Sequence, residues 1–326
     1  TIVLDEPTAV LSPQGTEELL AVMRNLRSQG KTILFISHKL PEVLSVADRI
    51  SVMRKGKLVA TVESKATTEE QLVELMIGRS PAKTSGRARP TTGQVVLEVE
   101  GLYVHEPGSA SGLRNACLQV RAGEIVAIAG VEGNGQRELA SALIGIANPD
   151  RGRIVLNGQE ITHLPVRARR ELGMAFVPED RVDLGLVLNA TVTENAVLGP
   201  AYRRSPVSSG WMMNWSAADS AARQIVERYQ VKMSGPARTS AMGSLSGGNM
   251  QKLLVGRELA GDVKCLVICQ PTRGLDIGAK AGIYDAVFAM RDAGCAVLTV
   301  STDLDEIFEI ADRIMVMYKG GLVADL

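Results

Sequence analysis

The sequence predicts an α/β fold with parallel core sheets, and three observations carry that expectation. First, short apolar runs such as Thr1–Leu4, Gly123–Ala129 and Leu266–Cys269 stop abruptly in polar or glycine-rich turns. Second, the run at the start is followed by a helical pattern and a second apolar run with short connections, the arrangement of a parallel strand–helix–strand unit. Third, the sequence repeats itself 264 positions on. Pro7, Thr8, Leu11, Gly30 and Ser37 match Pro271, Thr272, Leu275, Gly294 and Ser301; Ala47-Asp48-Arg49-Ile50 matches Ala311-Asp312-Arg313-Ile314; and Lys55-Gly56 matches Lys319-Gly320. No gap is needed from Thr1 to Val62, and about a third of those positions are identical, which marks an internal duplication. The expected organisation is a partial first copy at 1–62, a helix and linker at 63–94, and a nearly whole second copy at 95–326.

Taken in order, Thr1–Glu6 is a strand ending in two carboxylates, and Pro7–Ser12 turns the chain. Leu19, Leu20, Met23 and Leu26 fall on one helical face within a helix expected from about Pro13 to Gln29, stopped by Gly30. Thr32–Ile36 is the second strand, with Ser37-His38-Lys39 at its carboxyl end, where ligands bind in sheets of this kind. Thr67-Thr68-Glu69-Glu70 caps a short amphipathic helix through Ile77. Ser80–Gln94, rich in Pro, Gly, Ser, Thr and basic residues, is the linker. The second copy opens with strands at Val95–Val99 and Gly123–Ala129, the latter feeding a glycine loop.

Bulk properties remove several function classes. The 36 Lys and Arg balance 36 Asp and Glu, so no general field draws the chain to nucleic acid or anionic lipid. No apolar run is long enough to span a bilayer, no signal peptide is visible, and Thr1 opens straight into a buried-type strand. Cys117, Cys265, Cys269 and Cys295 lack C-x-x-C spacing, which fits a reducing cytoplasm, and His38, His105 and His163 are too scattered to suggest a metal site.

The stretch with the strongest chemical signal is Leu245-Ser246-Gly247-Gly248-Asn249-Met250-Gln251-Lys252, a polar turn opening into a helix. Two glycines let the backbone approach a ligand closely, Ser246 adds a hydroxyl, and the first N–H groups of the helix converge there, so the site suits a phosphate. An ordinary helix N-cap is the alternative for this stretch taken alone. About twenty residues on, Leu266–Gln270 is a strand leading into Pro271-Thr272-Arg273-Gly274-Leu275-Asp276. The pair resembles the signature motif and Walker B strand of ATP-binding-cassette (ABC) ATPases, the motor subunits of ABC transporters. That resemblance covers nearly the whole chain apart from the linker. It implies a P-loop NTPase fold of the ABC type: a parallel core sheet, an antiparallel β subdomain and a helical subdomain, here in one partial and one nearly complete copy.

The resemblance also implies roles. In the first copy Asp5 matches the aspartate that holds Mg²⁺, Glu6 the glutamate that polarises the attacking water, and His38 the switch histidine on the γ-phosphate; Ser12 stands where many members have the D-loop aspartate. In the second copy Gly130-Val131-Glu132-Gly133-Asn134-Gly135-Gln136-Arg137 has the glycine spacing of a P-loop, yet Gln136 replaces its lysine and Arg137 its Ser/Thr. Cys269 and Gln270 replace the Walker B carboxylates, Thr302 replaces the histidine, and Glu179 replaces the Q-loop glutamine. A thiol suits Mg²⁺ poorly, and an amide takes no proton at neutral pH. This copy is expected to bind nucleotide weakly or not at all. Tyr103 stands where the family stacks an aromatic on adenine, with plain packing as the alternative. In the family two cassettes close head to tail, so Ser246, Gly247, Gly248 and Gln251 complete the site whose Walker B is Asp5-Glu6. The expected cofactors are ATP and Mg²⁺.

The degenerate second P-loop, the Pro178-Glu179-Asp180-Arg181 loop and Gln270-Pro271-Thr272-Arg273-Gly274-Leu275-Asp276 look like the ATPase subunits of bacterial importers for simple sugars, closest to those importing nucleosides and related sugars. Such subunits dock on two membrane permease subunits at the cytoplasmic face of the plasma membrane. Through these they serve a periplasmic or lipid-anchored substrate-binding protein, with no nucleic acid. The segment from about Asp183 to Arg238, with Trp211, Met212, Met213 and Trp215, is the expected helical subdomain facing the permease; an ordinary buried cluster is the alternative. A soluble tandem-cassette ATPase of translation-factor or DNA-repair type is the second reading, and an inactive docking module in the form given is the third.

Overall fold

The computed structural model describes residues 1–8, 11, 13–37, 39–54, 56–77, 93–105, 112–199, 208–209 and 212–326. The chain forms two compact units, Thr1–Lys83 with the short stretch Asp276–Ala281, and Thr84–Leu275 with Gly282–Leu326.

The first unit runs β1 (Ile2–Asp5), α1 (Pro13–Ser28), β2 (Ile33–Ile36), α2 (Leu40–Val46), β3 (Arg49–Arg54), β4 (Lys57–Glu63) and α3 (Glu69–Ile77). β1 and β2 pair in parallel, Ile2 opposite Ile33, as short strands linked through a crossover helix must. β3 and β4 form an antiparallel hairpin. α1 buries Leu20 and Met23 against Val46, Leu4 and Phe35. The α3 cap forms at Thr68, whose Oγ1 accepts from the Gln71 N–H while Gln71 Oε1 accepts from the Thr68 N–H.

The second unit comprises β5 (Val95–Val104), β6 (Leu113–Arg121), β7 (Ile125–Ala129), α4 (Gln136–Ile144), β8 (Arg151–Leu156), β9 (Gln159–Glu160), α5 (Val166–Glu171), β10 (Met174–Val177), α6 (Val192–Val197), β11 (Ser208–Ser209), β12 (Met212–Met213), α7 (Trp215–Arg228) and α8 (Gly247–Glu258). It continues through β13 (Cys265–Cys269), α9 (Ile277–Asp292, of which Gly282–Asp292 belong to this unit), β14 (Ala296–Ser301), α10 (Leu304–Ile310), β15 (Arg313–Tyr318) and β16 (Gly321–Asp325). The core sheet has the order β10-β13-β14-β7-β15-β16, parallel except for the antiparallel edge strand β16. Every residue of β7, β13 and β14 is buried, the pattern of strands covered on both faces. A second, antiparallel sheet has the order β6-β5-β8-β9. β5 extends to Val104, beyond the Val99 expected from its apolar run, because its second half pairs with both β6 and β8. α6 and α7 form the helical region, α6 opened by a capping box between Thr191 and Glu194. Trp215 and Met213 are exposed there, with the Arg238 guanidinium 5.2 Å from the Trp215 ring centroid. Trp211 and the side chain of Met212 lie outside the described residues.

Local geometry recurs at the 264-residue spacing. The Glu6 N–H donates to Ile36 O at 2.9 Å and the Gln270 N–H to Val300 O at 2.7 Å. Thr8 Oγ1 donates to Glu42 and Thr272 Oγ1 to Glu306. Arg27 pairs with Asp48, and Arg291 with Asp312. Both terminal hairpins shift register at the same place, between Val52 and Met53 and between Val316 and Met317.

One buried cation holds the helix after the glycine loop. Arg169 on α5 is 1% exposed, and its guanidinium donates to four main-chain carbonyls: Ala142 and Leu143 at the end of α4, and Thr162 and Leu164 in the following loop. Those carbonyls are the ones a helix end leaves without partners, and a cation there also complements the helix dipole. Burial lowers the guanidinium pKa to about 10, so it stays charged at neutral pH. Gly145, at φ 86°, leaves the room: a Cβ there would lie 2.9 Å from Arg169 Nε. Replacing Arg169 by Met strands several buried carbonyls, so thermal unfolding should show a loss of about 3 kcal/mol or more.

Candidate functional site

Register places four strand ends side by side in the second unit. Ala129 lies opposite Ser301, and Cys269 opposite Val300, so the loop after β7, Gln270 after β13 and Thr302 after β14 share the carboxyl edge of the sheet, with Glu179 following β10. This is the edge at which ligands of parallel sheets bind.

The glycine loop there is closed by its own side chains. Gln136, buried at the start of α4, folds back: its Nε2 donates to Val131 O at 3.0 Å, and its Oε1 accepts the Asn134 N–H at 3.0 Å. Asn134 Nδ2 donates to the same Val131 carbonyl at 2.8 Å. Asn134 also anchors the loop to the β15–β16 turn, accepting from the Lys319 N–H at 2.7 Å and the Gly320 N–H at 2.9 Å. Gly133 and Gly135 have φ of 87° and 109°, and Arg137 is exposed.

The other replaced positions behave alike. Cys269 is buried, and burial pushes its thiol up to about 12, which keeps it neutral. Gln270, at φ 48°, donates from Nε2 to Thr302 Oγ1 at 3.2 Å, so the two substituted positions satisfy each other. Glu179 is ion-paired with Arg273. Arg181 Nη1 donates to Arg273 O at 3.0 Å, and its guanidinium lies where a Cβ on Gly247 would approach to 2.8 Å. Asp180 accepts the Val182 and Asp183 N–H groups, which hold its carboxyl below the usual range and open a single π-helical turn, Arg181–Gly185.

The Ser-Gly-Gly stretch sits at the start of α8, as the sequence suggested. Ser246 occupies the N-cap position without a capping bond from its side chain; its Oγ instead accepts from Asn249 Nδ2 at 2.8 Å. Gly247 and Gly248 are partly exposed. Gln251 is buried and donates to Pro271 O at 3.0 Å, joining the helix to the turn after β13. Tyr103 on β5 is partly exposed, and its carbonyl accepts the Asp150 N–H at 2.8 Å.

In the first unit Asp5 is exposed at the end of β1, and Glu6 follows at φ 44°, the backbone state of Gln270. Ser12 and His38 lie outside the described residues. Sequence reasoning did not find the Asn134–Lys319 link or Arg181's position, since each depends on a partner that only the fold brings close, and it did not find Gln136's local bonds, which depend on the side chain folding back onto its own loop.

A parallel sheet with a glycine loop after its central strand and a Ser-Gly-Gly helix start is the core of a nucleotide-binding cassette. The comparisons agree. The ABC transporter family model matches residues 113–273. A nucleoside import ATP-binding protein from Lactococcus lactis is 42% identical over 98% of this chain, which spans 62% of that relative. A guanosine import ATP-binding protein from Bacillus subtilis is 39% identical over 100% of the chain and 63% of its own length. A ribose import ATP-binding protein from Streptomyces avermitilis is 39% identical over 100% of the chain and 60% of its own length. A solved nucleotide-free ATP-binding cassette shares the fold, with a TM-score of 0.60 at 23% identity over 71% of this chain and 91% of that one. Residues 113–273 belong to the ABC transporter family, and the chain spans about three fifths of the length of the curated relatives it matches.

The family implies ATP and a divalent cation, and the second unit's strand-end residues do not fit them. An amide has taken up a loop N–H that would face phosphate, and the neutral thiol and amide at 269–270 offer no hard anionic oxygen. Titration of the chain with Mg-ATP should therefore show no saturable binding at 130–137 below about 1 mM. A tighter site abolished by Gly135→Val would show that the loop does receive nucleotide.

Proposed function

We propose that this chain is part of the ATP-hydrolysing motor subunit of an ABC importer for simple sugars or nucleosides, with one competent and one degenerate site. The observation that carries the reading is a contrast on a shared backbone. Glu6 and Gln270 occupy the same left-handed conformation at equivalent strand ends, φ 44° and 48°, yet the first pair of residues is Asp5-Glu6 and the second Cys269-Gln270. A non-glycine residue in that conformation is costly, so its recurrence supports two copies of one device, of which only the first keeps chemistry.

Solvent exposure supports a first copy that is part of a larger cassette. Val3, Leu34 and Ile36 are 64%, 59% and 54% exposed, whereas their counterparts Val267, Leu298 and Val300 are 0%, 0% and 5% exposed. A β-strand face of that composition is normally covered. The repeated hydrogen bonds at 264-residue spacing support the duplication on which the division into 1–62, 63–94 and 95–326 is drawn.

In this reading Asp5 would hold Mg²⁺ and Glu6 would accept the proton of the attacking water, hard carboxylates suited to both tasks. Bound Mg-ATP supplies the phosphoanhydride that is hydrolysed. His38 serves as the switch histidine, and Ser246, Gly247 and Gly248 complete the site whose Walker B is Asp5-Glu6, following the family's head-to-tail pairing. The names of the import relatives support a place in a membrane transport assembly, and the family resemblance implies two permease subunits and, through them, a binding protein as partners at the cytoplasmic face of the membrane; among the described residues no helix is long and apolar enough to cross a membrane.

The test is ATP turnover in the transport assembly with both cassettes complete. Glu6→Gln should lower turnover by a factor of about 10² or more, while Gln270→Glu should change it less than about twofold. Turnover that survives Glu6→Gln would place the chemistry elsewhere.

A further inference from the structure

The turn after Glu6 is tied to the helix that follows the switch strand. Thr8 is 1% exposed, and its Oγ1 donates to Glu42 Oε2 at 2.6 Å, across 34 residues. Glu42 lies in the first turn of α2, and its other oxygen, Oε1, pairs with Lys39 Nζ at 3.3 Å. Lys39 Nζ closes the ring by donating to the Thr8 carbonyl at 3.3 Å. Three side chains thus join the residue two places after Glu6 to the residue just after position 38.

The second copy keeps the carboxylate and changes its company. Glu306 accepts from Thr272 Oγ1 and Ser301 Oγ, both at 2.5 Å, and more weakly from Tyr284 OH at 3.5 Å. Position 303, equivalent to Lys39, is Asp, which caps α10. Tyr284 stands at the position equivalent to Leu20. Where the catalytic carboxylates are gone, the carboxylate is surrounded by hydroxyls; where they remain, it carries a cation that also grips the Thr8 main chain. The Thr–Glu bond alone is a fold element common to both, and the lysine arm accompanies only Asp5-Glu6.

We propose that Glu42 is a positioning residue for hydrolysis, clamping Thr8 and Lys39 together so that the turn carrying Glu6 is held in fixed register with the segment after the switch strand. The proposal rests on the assignment of Asp5 and Glu6 to the competent site. Glu6 sits in a strained backbone state that persists only if its surroundings over-determine it, and the clamp supplies that constraint from the side of the turn. A small displacement of a general base costs rate without weakening ground-state binding.

The experiment measures kcat and the KM for ATP, with thermal melting, in the transport assembly with both cassettes complete. Thr8→Val removes one hydroxyl at nearly constant shape. It should lower kcat roughly tenfold while KM stays within about twofold, and Thr8→Ser should regain most of the loss. Glu42→Leu should give the same split, and the Thr8→Val/Glu42→Leu double variant should be no slower than the slower single, because the two act as one unit. Wild-type kcat in both single variants, alongside loss of turnover in Glu6→Gln, would overturn the clamp while leaving the site intact. Equal loss with Thr8→Ser and Thr8→Val, or losses matched by falling melting temperature, would reduce the clamp to a stability element. Retained turnover in Glu6→Gln would remove the site assignment and the clamp with it.

Discussion

Everything at the candidate site of the second unit follows from β7, β13 and β14 being covered on both faces. A strand in that position is dominated by apolar side chains, so Ile125–Ala129, Cys265–Cys269 and Ala296–Ser301, with Thr299 and Ser301 the buried hydroxyls, carry little chemistry within the sheet. Polar groups are displaced to the turns, and because the strands are parallel, the turns that matter lie at one edge. The same constraint makes the edge demanding. Each strand end must reverse into a helix while leaving no buried polar atom unsatisfied, and the residues there are chosen as much for that as for any reaction.

Two solutions to that demand recur. One is strained backbone: Glu6 and Gln270 hold a left-handed conformation that lets the N–H continue the strand ladder while the chain turns away. The other is a buried cation or carboxylate serving several main-chain or hydroxyl groups at once, as Arg169 does for the end of α4 and Glu306 for the turn after β13. Both devices stand whether or not the neighbouring residues can do chemistry. The turn after β13 therefore keeps the backbone state of the turn after β1 with an amide in place of a carboxylate, since Gln270 and Thr302 bond each other.

The architecture was legible in the sequence because it is written in local patterns. Apolar runs, the Gly30 stop, the cap at Thr67–Glu70 and the 264-residue repeat each involve neighbours in the chain or identical residues in register. The glycine loop and the Ser-Gly-Gly helix start were legible for the same reason. What could not be read were bonds between residues far apart in sequence. Thr272 and Glu306 are separated by 34 positions, Asn134 and Lys319 by 185, and Arg169 reaches back 27 residues to Ala142. Arg169 in particular reads as one more surface arginine in the run Arg167–Arg170, and only the closed end of α4 shows why it is buried. Gln251 is the converse case: its place in the motif suggested a nucleotide-facing residue, and the fold instead uses it inside, on Pro271 O.

The persistence of Gly130 and Gly135 in the loop needs no phosphate to explain it. A Cβ on Gly130 would come within 2.7 Å of Met317 O and 2.8 Å of Gln136 Nε2. On Gly135, already at φ 109°, it would lie 3.0 Å from Gly112 O and 3.2 Å from the Gly320 Cα. Gly320 is equally confined, with Gly112 O 2.5 Å from where its Cβ would sit, and its carbonyl accepts the Arg114 N–H at 2.7 Å. The loop, the β15–β16 turn and the start of β6 are therefore packed main chain against main chain, an approach that only glycine permits. Removing the lysine and the Ser/Thr from such a loop leaves the packing constraint in force, so the glycine spacing survives as a structural signature. A glycine pattern in this fold is thus weak evidence for nucleotide by itself, and the side chains at 136, 137, 269 and 270 carry the distinction.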